Sequence, residues 1–304
     1  MNTLGAISIP FNPYIIDFGP FLLSWHGFLT FVAVATAVIL TVRWGRRDGL
    51  DGDAILSVSV WCIIGGIIGA RLLHVIDFWS LYAANPLAIL QVWQGGIAIY
   101  GAILGGFVAG AAYILIRNSN WFLNLWGRYF RWAGEPDKAP LPGVGHLADV
   151  AAPALLVAMA IGRIGDVING EHWAKFTDLP WGVVYTHLES PGVGRAASHP
   201  AVAYELLFDL ALLAVIWPLR HRLRPRGMLF VLYGALYSIG RFFISFLRVE
   251  VNTYFGGALN EAQIVALIVI VIAVPLLVYR AQFVRVAQRP LGNSRQSGPS
   301  ETDA

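Results

Sequence analysis

The chain of 304 residues contains a single cysteine, Cys62. One thiol excludes an internal disulfide, and its place in an apolar run reads as burial of a small hydrophobe. Charge is also scarce: 13% of residues are Asp, Glu, Lys or Arg, against about 25% in soluble proteins. The net charge of +3 calls for no nucleic-acid partner. The first 20 residues lack a basic leading stretch and are broken by Pro10, Pro13 and Pro20, so no cleavable signal peptide is expected. Clustered metal ligands and an internal repeat are both missing, which points away from a metal site and from transporters built of duplicated halves.

Apolar sequence is abundant instead. The chain is 57% hydrophobic with a mean hydropathy of +0.63. Seven apolar runs lie near 22–42, 54–76, 97–116, 147–166, 200–219, 227–247 and 259–279. Each is about 20 residues, the length that crosses ~30 Å of hydrocarbon at 1.5 Å per residue. The expected fold is an all-α integral membrane protein with seven transmembrane helices. A single domain would cover 1–284, and 285–304 would form a disordered tail.

Arginines set the expected orientation. Arg43, Arg46 and Arg47, then Arg117, Arg128, Arg131 and Lys138, then Arg220, Arg222, Arg224 and Arg226, and finally Arg280, Arg285, Arg289 and Arg295 fall on alternate connections. The other connections hold only Lys175, Arg195 and Arg248. Basic loops stay in the cytoplasm, so the C-terminus is expected there and the N-terminus outside.

Within the apolar runs a few polar residues stand out. Arg163 follows a stretch without charge from Val150 to Gly162. An arginine at bilayer depth costs roughly 2.5–3.5 kcal/mol on insertion scales, so it normally faces a polar cavity. Arg241 is expected at a similar depth, and two such arginines suit a phosphate. Asp166 lies three residues beyond Arg163 and could instead neutralise it. Glu205, one turn inside its run, needs a partner or a proton; Arg163 and Arg71 are candidates. Arg248 shares a helix face with Arg241 or snorkels to the interface. The outer connections add Gln94, Gly95 and Gly96 before the third run, and Asn169, Gly170, Glu171, His172 and His199 in the long loop 167–199, with Tyr204 just inside the fifth run. Gly101, Gly105 and Gly106 have the small-residue spacing of close helix contact. A polar cavity toward the outer side is therefore expected.

The segment Gly162-Arg163-Ile164-Gly165-Asp166-Val167-Ile168-Asn169-Gly170-Glu171 resembles the signature GRxGNFxNxE of the prolipoprotein diacylglyceryl transferase family. Supporting matches are Ser24-Trp25-His26-Gly27, Gly69-Ala70-Arg71-Leu72, Trp93-Gln94-Gly95-Gly96, Ser198-His199-Pro200 with Tyr204-Glu205, Gly240-Arg241-Phe242 with Arg248, and Gln263. The likeness runs from Ile15 to Leu277. It implies a multi-pass enzyme of the bacterial cytoplasmic (inner) membrane that needs neither cofactor nor metal. Its implied partners are phosphatidylglycerol and lipobox-containing prolipoproteins. The diacylglyceryl group would pass to the lipobox cysteine thiol, and glycerol phosphate would leave.

The resemblance implies catalytic roles for Arg163, Arg241, His26 and Tyr100. Substrate contacts would fall to Arg163, Asp166, Asn169, Gly170, Glu171, Gln94, Gly95, Gly96, His199, Tyr204, Glu205 and Arg248. The sequence departs from the family pattern in four informative places. His26 and Tyr100 stand where the family has tyrosine and histidine, Asp166 replaces an asparagine, and Ser245 replaces a glutamate. His26 and Tyr100 are expected to face one another as an exchanged pair, and Asp166 could replace the charge missing at Ser245. The competing readings are a catalytically inactive lipid-binding relative and a small anion or lipid transporter.

Overall fold

The computed structural model describes residues 5–19, 21–91, 96, 98–134, 141–249 and 253–284. The expected tail and the residues Gln94 and Gly95 lie outside the described residues. Among those described, seven helices are long and apolar enough to cross a membrane. They are α1 (Trp25–Arg47), α2 (Gly52–Asp77), α4 (Ile99–Arg117), α6 (Val144–Asn169), α7 (Ala201–Ile216), α8 (Met228–Ile244) and α9 (Glu261–Arg280). Short 3₁₀ turns carry α7 to Leu219 and α8 to Leu247. Two short helices, α3 (Trp79–Ala83) and α5 (Asn120–Tyr129), connect longer ones.

Local chemistry sets the helix ends. Ser24 caps α1 by accepting from the Gly27 N–H at 3.0 Å, and Asp51 caps α2 through Asp53 and Ala54. Asn260 and Gln263 form a reciprocal capping box at the start of α9. The fourth apolar run continues past its expected end at 166, so Asp166 and Asn169 belong to α6. Short strands accompany the helical core: β1 (Ile7–Ile9) runs parallel to β4 (Val183–Tyr185), and β2 (Tyr14–Phe18) pairs antiparallel with β3 (Phe21–Ser24). β1 thereby ties the N-terminal segment to the long loop before α7.

The glycines expected to pack helices do so between α2 and α4. A Cβ on Gly105 would come within 2.8 Å of the Gly69 Cα, and one on Gly69 would meet the Gly105 Cα at the same distance. Hydrocarbon gives apolar helices no reason to associate, so close backbone packing of this kind supplies the attraction. Leu156, Ile216 and Leu229 are buried among α6, α7 and α8. Phe31, Ile39, Ile67, Leu104, Val271 and Ile272 are exposed, as suits side chains whose solvent is lipid.

The alternating direction of the spans brings the start of α1, α4, α7 and α9 to one side, together with the end of α2, α6 and α8. Arg43, Arg46, Arg47, Arg117 and Arg220 lie at the opposite ends. Arg71 is buried near the end of α2. It donates to the carbonyls of Ile89 (2.9 Å), Ala88 (2.5 Å), Gln91 (3.3 Å) and Gly96 (2.8 Å). This arginine therefore organises the connection after α3 and does not reach Glu205. Gly96 is needed at its position: its φ is +74°, and a Cβ there would approach His74 Nε2 to 2.7 Å.

Candidate active site

The last two turns of α6 carry Arg163, Asp166 and Asn169, and Gly170 closes the helix with φ +78°. A Cβ on Gly170 would meet the Tyr185 ring at 2.7 Å and Ser190 Oγ at 2.6 Å. Glycine is thus required by conformation and by space. The Tyr185 hydroxyl donates to the Val167 carbonyl at 2.9 Å, and Ser190 donates to the Asn169 carbonyl at 3.2 Å. These bonds satisfy carbonyls that a helix end leaves without partners. Burial, helped by the Asp166 charge, pushes the Tyr185 phenol up to about 12, so it remains a donor.

Glu205 is the centre of the site. Its side chain is buried, yet it meets three arginines from two neighbouring elements. Arg163 Nη2 lies 2.7 Å from Oε2, Arg248 Nη1 lies 3.1 Å from Oε1, and Arg241 Nη1 also donates to Oε1. Arg163 turns its other terminal nitrogen to Asp166 Oδ2 at 3.0 Å. Both proposed partners of Arg163 are therefore real, and the carboxylate that meets Arg241 is Glu205, not Asp166. Ser245 is buried and its carbonyl accepts from Asn260. Arg248 does not snorkel: its side chain is only 8% exposed.

Two histidines complete the network. His26 Nδ1 lies 2.6 Å from Asp166 Oδ1 and 3.6 Å from Glu171 Oε1. His172 accepts from Arg248 Nη2 through Nδ1 at 3.0 Å, while its Nε2 is 3.5 Å from Asp166 Oδ1. A closed circuit results: Asp166, Arg163, Glu205, Arg248, His172 and back to Asp166, with His26 attached at Asp166. Tyr100 interacts electrostatically with Arg241. His26 and Tyr100 therefore have different partners, Asp166 and Arg241.

Three guanidinium groups stand among three buried carboxylates, Asp166, Glu205 and Asp209, while Glu171 is partly exposed. Planar guanidinium forks of this kind recognise carboxylate and phosphate groups bidentately. The donor atoms of His26, Asp166 and Glu171 all lie within 4.8 Å of one another. Asp166 is already engaged on both oxygens, by His26 and Arg163, and the adjacent guanidinium opposes a cation.

Other expected residues sit beside this cluster. His199 and Gly170 line a cavity of about 290 Å³ beneath the long loop, together with His172, Trp173 and Arg195. Tyr204 accepts from the Trp181 indole at 2.8 Å. Gly96 lies with Arg71 and His74 on the neighbouring helix end. Asp209 is an addition the sequence reading missed. It lies one turn beyond Glu205 on α7, is fully buried, and interacts electrostatically with Arg163 and Arg241. Its i, i+4 spacing from Glu205 inside an apolar run was the available signal. His172 belongs to the long loop read from the sequence, but sequence position alone gave it no partner.

Fold and site together define a polytopic helical membrane protein whose buried charges converge on one cluster of arginines and carboxylates. Comparison with known proteins gives the family. The model for prolipoprotein diacylglyceryl transferase matches residues 13–128 and 142–279, and the chain belongs to that family. It is 33% identical over 301 residues to a phosphatidylglycerol–prolipoprotein diacylglyceryl transferase of Trichormus variabilis, covering 96% of each chain. A relative of the same name from Synechococcus elongatus is 35% identical over 277 residues, covering 88% of this chain and 87% of the other. Another, from Limosilactobacillus reuteri, is 31% identical over 282 residues, covering 90% and 93%.

Proposed function

We propose that the protein transfers the diacylglyceryl group of phosphatidylglycerol to the lipobox cysteine thiol of prolipoproteins, the first step of lipoprotein maturation. The observation that carries the reading is the convergence of Arg163, Arg241 and Arg248 on Glu205 in a chain of this family. The bond broken joins a glyceryl carbon to a phosphate oxygen. Negative charge grows on the departing phosphate, and fixed guanidinium groups stabilise that charge without reorganising. Glu205 holds the like-charged arginines together before substrate arrives. Arg163 has five N–H donors in a planar fork, so bonds to Glu205 and Asp166 are compatible with a further bond to phosphate.

The nucleophile comes from the substrate. Cys62, the only thiol of the chain, lies on α2, away from this cluster. The arginine distribution supports an outward-facing site in the bacterial cytoplasmic membrane, with the N-terminus outside and the C-terminus in the cytoplasm. Gly170, Glu171, Asn169, His199 and Tyr204 would border the approach of the peptide. Gly96 would lie beside the lipid headgroup.

Mass analysis tests the reading. Purified protein, phosphatidylglycerol and a lipobox peptide are expected to give a diacylglyceryl mass gain on the peptide cysteine, absent with Arg163→Ala. No gain with bound phosphatidylglycerol would leave an inactive lipid-binding relative. A gain that survives Arg163→Ala would keep the activity and remove Arg163 from the site.

A further inference from the structure

We propose that His26 is the base that takes the proton from the substrate thiol, and that Asp166 is the positioning residue that holds its ring. This rests on the transferase reading and adds the proton acceptor to it. A peptide thiol has a reference pKa near 8.5, so it is mostly protonated at neutral pH. The thiolate is the nucleophile, and a base within reach must therefore generate it.

The geometry selects among the candidates by the position of hydrogen. An ionised carboxylate only accepts hydrogen bonds, so the 2.6 Å contact to Asp166 puts the hydrogen of neutral His26 on Nδ1. The lone pair is then on Nε2. Among the described residues no group bonds Nε2, and 42% of the His26 side chain is exposed. The arrangement divides the work as a carboxylate–histidine pair does in hydrolases: the acid fixes the tautomer and steadies the imidazolium, and the far nitrogen moves the proton.

His172 has the opposite tautomer. Its Nδ1 accepts from Arg248, an obligatory donor, so neutral His172 carries hydrogen on Nε2 and has no lone pair left for a thiol. Tyr100 is a phenol with a reference pKa of about 10, a poor proton acceptor at neutral pH while protonated. It interacts with Arg241 at the other arm of the cluster. The charged and titratable groups that act on His26 are Asp166 and Arg163 from α6 and Glu171 from the long loop. Asp166 therefore joins two tasks within one helical turn, since its second oxygen holds Arg163 at 3.0 Å.

The step balances without any co-reactant. The thiol proton passes to His26 Nε2 as sulfur forms a bond to the glyceryl carbon. The carbon–oxygen bond breaks, its electron pair goes to the phosphate oxygen, and glycerol phosphate leaves. The proton then moves from His26 to the departing phosphate or to water.

The test is kcat as a function of pH, with the full chain in phosphatidylglycerol-containing nanodiscs and a lipobox peptide. His26→Gln is expected to lower kcat at neutral pH by about 10²–10³-fold, within the range of general-base catalysis. Phosphatidylglycerol binding should stay unchanged. The deficit should shrink as pH rises past about 8.5, where the thiol ionises unaided. Asp166→Asn should move the acidic limb of the wild-type profile, and His172→Gln should keep that limb. If His26→Gln does not fold by thermal unfolding, His26→Tyr is judged by the same criteria. A His26 variant with the wild-type limb, a deficit equal at every pH, or an effect on KM alone overturns the assignment of the base. Wild-type protein that makes no thioether at any pH overturns the transferase reading instead.

Discussion

Arg163 on α6 and Glu205 on α7 meet at 2.7 Å, and the same carboxylate also receives Arg241 and Arg248 from the α8 end. A buried acid shared by three cations is poised between two states. Without substrate, it balances charges that would otherwise repel one another in a low dielectric. In the proposed reaction, the substrate phosphate would give the arginines a second acceptor. The proposed reaction would thus tie stability and catalysis to one side chain.

Removal of that acid gives the largest expected effect. Glu205→Gln leaves three arginines around a neutral amide, and breaking a buried ion pair from one side costs about 3–5 kcal/mol. The thermal unfolding midpoint is expected to fall, and thioether formation to drop by at least ~100-fold because the arginines lose their common position. A variant with the wild-type midpoint and rate would show that the arginines hold themselves in place.

Packing between α2 and α4 offers a test away from the chemistry. Gly105→Leu puts a branched side chain where even a Cβ lies 2.8 Å from the Gly69 Cα. The helices must separate, and overpacking of this kind costs about 1–3 kcal/mol or more. Detergent-solubilised variant should unfold at a lower temperature, whereas Gly127→Ala, at a position with open space, should unfold as the wild type does. Equal midpoints for Gly105→Leu and the wild type would remove the close contact as a source of stability.

Tyr185 gives a pH dependence with a defined sign. Its phenol is pushed up to about 12, above the ordinary value of 10.0. The folded state therefore holds this proton more tightly than the unfolded state. The stabilisation is complete below pH 10, declines between 10 and about 12, and is lost above that. In alkaline unfolding experiments, Tyr185→Phe should be less stable than wild type at neutral pH, and the difference should narrow through this window. A constant difference would separate the phenol proton from the anchoring of α6.

Much of the architecture was legible because membrane residence is written along one dimension. Apolar length fixed seven spans, arginine distribution gave the alternation of loops, and Arg163 and Arg241 stood out because isolated charge in hydrocarbon is costly. Gly105 was readable for a related reason: small residues at helical spacing leave a flat surface for a neighbour. The spans ran somewhat longer than expected where capping residues, not hydropathy, ended the helices, as Gly170 does for α6.

Partnership was decided only in three dimensions. Sequence offered Arg71 or Arg163 to Glu205, and the structure gave it Arg163, Arg241 and Arg248, while backbone carbonyls occupied Arg71. Sequence suggested that His26 would face Tyr100, and the structure gives the two different partners, Asp166 and Arg241. Asp209 was hidden in an apolar run until α7 was packed against its neighbours. The physical reason is that depth and side depend on transfer energy summed along the chain, whereas a contact depends on how each helix is rotated against the others. Sequence alone determined that this protein spans a membrane with charges embedded near one side. Tertiary packing decided which charges meet, and so which nitrogen of His26 is left to accept a proton.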